Sequence, residues 1–212
     1  RMFHRGDHQQ FSQTMASGIR LTALLTIPAS CGLWVMSKPI IGLLFQHGNF
    51  SAAATENTAR ALSGLAIGLA GFSVYLFVLR GFYARNDTRT PFFINVGENV
   101  INIVLAIVLV DRHGVFGLGL AFSIAYLVSA LVALLLLEST EVDIKLSELA
   151  FNIARIAFAA GAMTCAVWFA THNIGSDAGR GAFTRVLAGT LIGVATYVVA
   201  LSALGEKTMR DY

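Results

Sequence analysis

The chain has 212 residues, of which 56% are hydrophobic and only 13% charged, and its formal net charge is +3. Soluble domains carry about 25% charged residues, so this balance excludes a water-soluble core of this size and fits an integral membrane protein. The basic residues sit in loops between apolar runs and not on one face, which argues against a nucleic-acid partner.

The chain opens Arg1-Met2-Phe3-His4, without the basic region, short apolar run and cleavage site of a signal peptide. That start is expected of a piece of a longer protein. The first long apolar run is Ile19–Ser37, with Pro28 at its centre. A span needs about 20 apolar residues, and a proline inside one is expected to kink it. Lys38-Pro39 follows, then "IIGLLFQHGNF" from Ile40 to Phe50. This stretch is too short to cross and is expected to be an interfacial half-helix closed near Gly48-Asn49.

Five more apolar runs follow: Ala61–Leu79, Phe92–Val110, Val115–Leu137, Leu149–Thr171 and Arg185–Leu204. Their length predicts helices, because hydrocarbon offers no partner to an open strand edge. None shows the roughly ten-residue alternation of a barrel strand. The pairs Gly64/Gly68, Gly117/Ala121 and Gly189/Gly193 place small residues four apart, the spacing that lets helix backbones approach. Cys31 and Cys165 both lie in apolar runs and read as buried packing residues, not as a disulfide or metal pair. Trp34 and Trp168 fall near span ends, as in an aromatic belt.

Orientation follows from the basic residues. With the N-terminal tail, the Arg80–Arg89 loop, the Glu138–Glu148 loop and the C-terminus on one side, ten of the 15 Lys and Arg lie there, and that side is expected to be cytoplasmic. The loop "LRGFYARNDTRTPF", Leu79 to Phe92, concentrates Arg80, Arg85 and Arg89 with Asp87 and Pro91.

Glu98 is the one acidic residue well inside a span. It belongs to "INVGENVINIV", where Asn95, Glu98, Asn99 and Asn102 recur at three- and four-residue steps and are expected on one helix face. An ionisable group in the bilayer costs at least ~2.5–3.5 kcal/mol, so it is expected to face a cavity or a partner helix. Carboxylate and amide oxygens suit a small hard cation, and Ser123 on the next span could add an oxygen. The alternatives are a polar seam that fixes helix register, or a side chain reaching the headgroups. No metalloprotease motif, nucleophile elbow or phosphate-binding glycine loop is present. His4, His8, His47, His113 and His172 are dispersed in tails and loops, and Asp111-Arg112-His113-Gly114 reads as a tight turn with solvated charges. An enzyme is therefore the least expected reading.

The order "IPASCGLWVMSKPIIGLLFQHGNF", "RGFYARNDTRTPF", "NVINIVLAIVL" and "HGVFGLGLAFSIAYLVSALVALLLL" resembles the lipid II flippases, the MurJ or MviN family of the multidrug, oligosaccharidyl-lipid and polysaccharide exporters. The resemblance covers about Phe3 to Leu137. Its most specific pieces are Leu43–Phe50 and Gly81–Pro91. It implies an all-α, polytopic bundle: spans nine to fourteen of a two-lobe, fourteen-span exporter. Residues 1–137 would belong to the second lobe and 138–148 would be a cytoplasmic loop. Residues 149–212 would be a helix pair bordering a groove for a lipid tail.

The resemblance also implies a substrate, the undecaprenyl-linked peptidoglycan precursor, carried from inner to outer leaflet of a bacterial inner membrane by alternating access. Membrane lipids are implied neighbours, and cell-wall synthesis proteins are candidate partners. No cofactor is implied beyond a coupling cation or the membrane potential. Arg80, Arg85, Asp87 and Arg89 would then form a substrate or gate site, with Asp87 pairing with Arg85 or Arg89 on closure. Glu98, Asn99, Asn102 and Ser123 would be the cation-coupling set. The rival expectations are a polysaccharide-lipid exporter of the same superfamily and a membrane scaffold for cell-wall assembly.

Overall fold

The computed structural model describes residues 5–139, 145–172, 174–177 and 179–205. Seven helices run in chain order among them: α1 Arg5–Val35, α2 Ser37–Phe45, α3 Ala52–Ala84, α4 Arg89–His113, α5 Val115–Glu138, α6 Leu146–His172 and α7 Gly179–Ala203. All but α2 are long and apolar enough to cross a bilayer. The six expected spans are thus the six long helices, most of them longer than their apolar runs and α5 nearly coincident with its run. Large apolar side chains remain exposed on every long helix, among them Leu25, Leu65, Ile107, Leu131, Phe158 and Val199, as expected where the solvent is lipid.

The register can be followed through close contacts. Met15 packs at Gly81, Phe77 at Gly18, and the Ser30 hydroxyl donates to the Ala66 carbonyl, so α1 and α3 run antiparallel. Gly64 meets Phe116 and Gly119, Gly68 meets Ser123, and Gly71 meets Leu127, so α3 and α5 run parallel with α4 returning between them. Gly189 meets Thr171 and Gly193 meets Val167, so α6 and α7 are an antiparallel pair. The glycine pairs of the sequence therefore lie at helix crossings. A Cβ at Gly64 would stand 2.7 Å from the Phe116 carbonyl oxygen, a separation only a glycine permits.

Three buried clusters hold the bundle. Met15, Ile19, Tyr75, Val78, Phe82 and Leu137 join α1, α3 and α5. Ala23, Ile156, Ala159 and Leu201 join α1, α6 and α7. Met36, Met163 and Val167 form the third, with Cys31 against it. Cys31 packs as expected. Cys165 is instead exposed on α6, because residues 165 and 163 project from different sides of that helix; both thiols are free. Polar groups within the spans close on their own helices: the Thr22, Thr164 and Thr171 hydroxyls donate to the carbonyls of Gly18, Ala160 and Val167 at 2.7–2.8 Å.

One local expectation needs correction. The short helix is Ser37–Phe45 and not Ile40–Phe50: it starts before Pro39, which the first turn tolerates, and Gly48 follows with φ of +58°. Its face of Ser37, Pro39, Ile41 and Gly42 is buried, and Gly42 packs on the backbone carbonyl of Asp177 between α6 and α7. α1 runs as one helix through Pro28.

Candidate functional site

The antiparallel and parallel contacts gather one end of the bundle from the start of α1, the α3–α4 loop, the end of α5, the start of α6 and the end of α7. Arg80, Arg85 and Arg89 lie at this end. Of the loops and tails expected to share it, residues 1–4, 140–144 and 206–212 lie outside the described residues.

The α3–α4 loop is built by turn chemistry. Asn86 takes φ of +60°, with its N–H donating to the Tyr83 carbonyl and the Asp87 N–H to the Phe82 carbonyl at 3.0 Å. This is the Schellman arrangement that ends a helix, and asparagine tolerates its left-handed position. The Asp87 carboxylate then accepts from the backbone N–H of Arg89 at 3.0 Å and of Thr90 at 3.1 Å, capping α4. Hydrogen bonding from Thr90, first from its side chain and then from its amide, holds Asp87 below the usual carboxylate range, with the Arg89 amide and the charge of Arg85 adding to it. In this conformation the carboxylate thus serves the start of α4. Arg80 and Arg89 are exposed and Arg85 half-buried. Arg89 lines a recess with Thr88, Phe92 and Phe93.

Glu98 is 2% exposed on the inner face of α4, in line with Pro91 and Ile94. Asn95, Asn99 and Asn102 lie on the same side of the helix as Glu98, within an arc of about 100°, but only Glu98 of the four is buried. Asn95 and Asn99 are exposed, about 60° and 100° round the helix from Glu98. Asn99 donates its amide to Glu98 Oε2 at 3.0 Å and to the Asn95 carbonyl at 2.8 Å. Asn102 lines a separate, largely apolar recess with Ala61, Leu65, Leu118 and Phe122.

Ser123 also departs from the expectation. It is fully buried against α3, and its hydroxyl donates to the Gly64 carbonyl at 2.6 Å. It is a packing residue at a close helix crossing, turned to α3. The expected oxygen set for a cation is therefore not assembled: Asn99 offers a donor, Ser123 is engaged elsewhere, and Asn102 lies apart.

What faces Glu98 instead is a pair of tyrosines that the sequence reading passed over. Tyr75 of α3 is 1% exposed, and its hydroxyl makes no hydrogen bond among the described residues; Asn95 and Glu98 are its polar neighbours. Tyr126 of α5 adjoins both, with its ring 5.5 Å from that of Tyr75, and it packs on Phe72 and Phe122. The signal was available, since tyrosine is an uncommon choice for the middle of two facing spans unless its hydroxyl has a use.

At the opposite end a charge cluster fastens the short helix. Lys38 lies 3.1 Å from Glu56 and 3.6 Å from Asp177, and Arg185 pairs with Asp177. Arg185 also donates to the carbonyls of Ile174 at 2.8 Å and Gly175 at 3.1 Å. Trp34 and Trp168 stand at this end, half exposed, as an aromatic belt requires.

The fold defines an all-helical, multi-pass membrane protein with a carboxylate, that of Glu98, enclosed among its spans. Comparison with known proteins narrows this. The family profile "Lipid II flippase MurJ" matches residues 1–189. The probable lipid II flippase MurJ of Vibrio cholerae is 31% identical over 200 residues, which cover 93% of this chain and 38% of that protein. Its counterpart in Rhizobium meliloti is 30% identical over 208 residues, covering 95% of this chain and 38% of that protein. A solved structure titled "Lipid II flippase MurJ, inward closed conformation" superposes with a TM-score of 0.80 at 25% identity, over 96% of this chain and 41% of that one. The chain belongs to the lipid II flippase MurJ family. It spans about two fifths of the length of these relatives.

Proposed function

We propose that this chain is the second-lobe portion of a flippase that moves undecaprenyl-linked peptidoglycan precursor from the inner to the outer leaflet of a bacterial inner membrane, for cell-wall synthesis. The observation that carries the proposal is the family match along residues 1–189. A diphosphate and a sugar-peptide headgroup cross hydrocarbon only inside a shielded polar path, and rocking of two lobes supplies such a path by alternating access.

The excess of cations around the Arg80–Arg89 loop favours a cytoplasmic location for that end, with both ends of the chain on the same side. Arg80, Arg85 and Arg89 would attract the anionic precursor to the inner mouth. Asp87, held by the start of α4, would tie the loop's position to the tilt of that helix. Coupling to a cation gradient or to the membrane potential would act through Glu98, with Tyr75 and Tyr126 beside it, because it is the one acidic side chain buried in a span among the described residues. The exposed apolar faces of α6 and α7, with Phe158, Phe169, Leu191 and Val199, suit the precursor's lipid tail.

The test is transport by the full-length protein reconstituted in liposomes with labelled precursor. Appearance of the headgroup on the opposite leaflet supports the proposal; insertion without translocation of that lipid rejects it.

A further inference from the structure

At the end of the bundle away from the Arg80–Arg89 loop, the short helix α2 stands between two parts of the molecule. It packs on α3 and also on α7. Among the described residues, the α6–α7 pair joins the rest of the bundle chiefly through two helices: α6 lies along α1, and α7 rests on α2. With nine residues α2 is too short to cross a bilayer. Its buried face of Ser37, Pro39, Ile41 and Gly42 serves this junction instead.

Three kinds of contact hold the junction. The first is apolar: Met36, Met163 and Val167 form a buried cluster with Ile40 and Val186 against it, and the Met36 thioether lies on Gly189 of α7. The second is steric: Gly42 sits so close to the Asp177 carbonyl, in the turn between α6 and α7, that a Cβ there would overlap that oxygen. The third is electrostatic. Lys38 of α2 reaches Glu56 of α3 at 3.1 Å and Asp177 at 3.6 Å. Asp177 also takes Arg185 of α7, whose other N–H groups donate to the carbonyls of Ile174 and Gly175. Half-exposed pairs such as Lys38–Glu56 add little stability. The Gly42 seat and the Arg185–Asp177 pair, with the Arg185 side chain only 17% exposed, fix the geometry.

We propose that α2 is a strut, with Gly42 and Asp177 as its positioning residues, that makes the α6–α7 pair move with α3 as one rigid body when the lobes rock. This rests on the reading of the chain as the second-lobe portion of an alternating-access flippase. Close-packed contacts have discrete arrangements and do not deform continuously. A junction closed by a backbone seat, a thioether and a charge cluster therefore turns as a unit. The apolar surface of α6 and α7 then travels with the second lobe, and a lipid tail lying on it is presented to the same lobe throughout the cycle.

The test uses the full-length protein in nanodiscs, in a Cys31→Ala, Cys165→Ala background, with spin labels at Asn57 on α3 and Leu187 on α7, both exposed. Pulsed electron paramagnetic resonance reads the distance between them. With the strut intact, one narrow distribution is expected, the same with and without added undecaprenyl-linked precursor. Gly42→Val acts on the seat and Asp177→Asn on the charges; each should broaden the distribution and lower precursor transport. A second label pair within the lobe, Asn57 with exposed Leu131 on α5, should stay narrow in both variants, which separates loss of the strut from general loosening. A distance that shifts or splits when precursor is added, or that either folded variant leaves narrow, would overturn the proposal. Should Gly42→Val prevent folding, Asp177→Asn alone is decisive by the same distance. The distance does not depend on which lipid is carried, so the expected distances without precursor transport would support the strut and reject the flippase reading.

Discussion

The hydroxyl of Tyr197 on α7 donates to the backbone carbonyl of Leu24 on α1 at 2.7 Å. Leu24 stands four residues before Pro28, so its carbonyl is the one that the proline's missing N–H leaves without a helical donor. A side chain 173 residues away thus fills the gap that a proline opens in a span, and α1 continues as one helix. Tyr197→Phe should cost about 0.6–1.7 kcal/mol, the range of single hydrogen bonds between spans. In a Pro28→Ala background the new N–H can serve Leu24 itself, so the same substitution should cost far less. A double-mutant cycle by unfolding in mixed micelles checks this; additive costs would show that the two residues do not share the carbonyl.

The crossing of α3 and α5 makes a second prediction. A Cβ at Gly68 would overlap the backbone of Ser123 and not merely its side chain. Gly68→Val should therefore destabilise by about 1–3 kcal/mol or more, and Ser123→Gly should restore only part of it because the Cα remains in the way. Ser123→Ala removes one donation to a carbonyl that keeps its helical partner, and should cost only about 0.6 kcal/mol. Thermal unfolding of the purified variants ranks the three.

The cap on α4 sets an acid limit. The folded state holds Asp87 below its ordinary range, chiefly through hydrogen bonds from Thr90. The unfolded chain therefore binds the proton more readily, and the stabilisation is fully present above about pH 4. It is lost as pH falls from there through the lower folded value. Asp87→Asn keeps the capping oxygen but not the charge, so its order at α4 should vary less with pH below 4. Hydrogen exchange of the Arg89 and Thr90 amides against pH is the measurement. Identical acid profiles for the two proteins would remove the carboxylate from the cap.

Neutralising the loop separates steering from folding. Arg85→Gln with Arg89→Gln leaves the Asn86 turn and the Asp87 cap untouched, because both rest on backbone groups and on Asp87 itself. Insertion should be normal. Precursor transport should fall, and its dependence on ionic strength should flatten, since exposed charges act within a Debye length of about 8 Å at physiological salt. Transport and salt dependence equal to the wild type would reduce the arginines to orientation signals.

The six spans were legible in the sequence because hydrocarbon thickness and backbone hydrogen bonding leave so few solutions. The glycine pairs were legible for the same reason, and each lies at a crossing. Around Glu98 the sequence spoke less clearly. Periodicity along α4 indicates which residues are near one another on that helix, but it carries no information about which helix each faces. Ser123 was drawn to α3 by the approach that Gly64 and Gly68 allow, and Tyr75 and Tyr126 come beside Glu98 only through the parallel pairing of α3 with α5. The stretch around Arg85 to Asp87 could have been read in full, since Asn at a helix end followed by Asp before the next helix is turn chemistry.

Growth of a strain depleted of its own lipid II flippase, rescued by the full-length protein, is the most direct test, with Glu98→Gln as the paired variant. Rescue with precursor reaching the outer leaflet, lost or stripped of its cation or potential dependence in Glu98→Gln, is expected of a flippase coupled through this second lobe. Correct insertion of the wild-type protein without rescue and without precursor on the outer leaflet would contradict it.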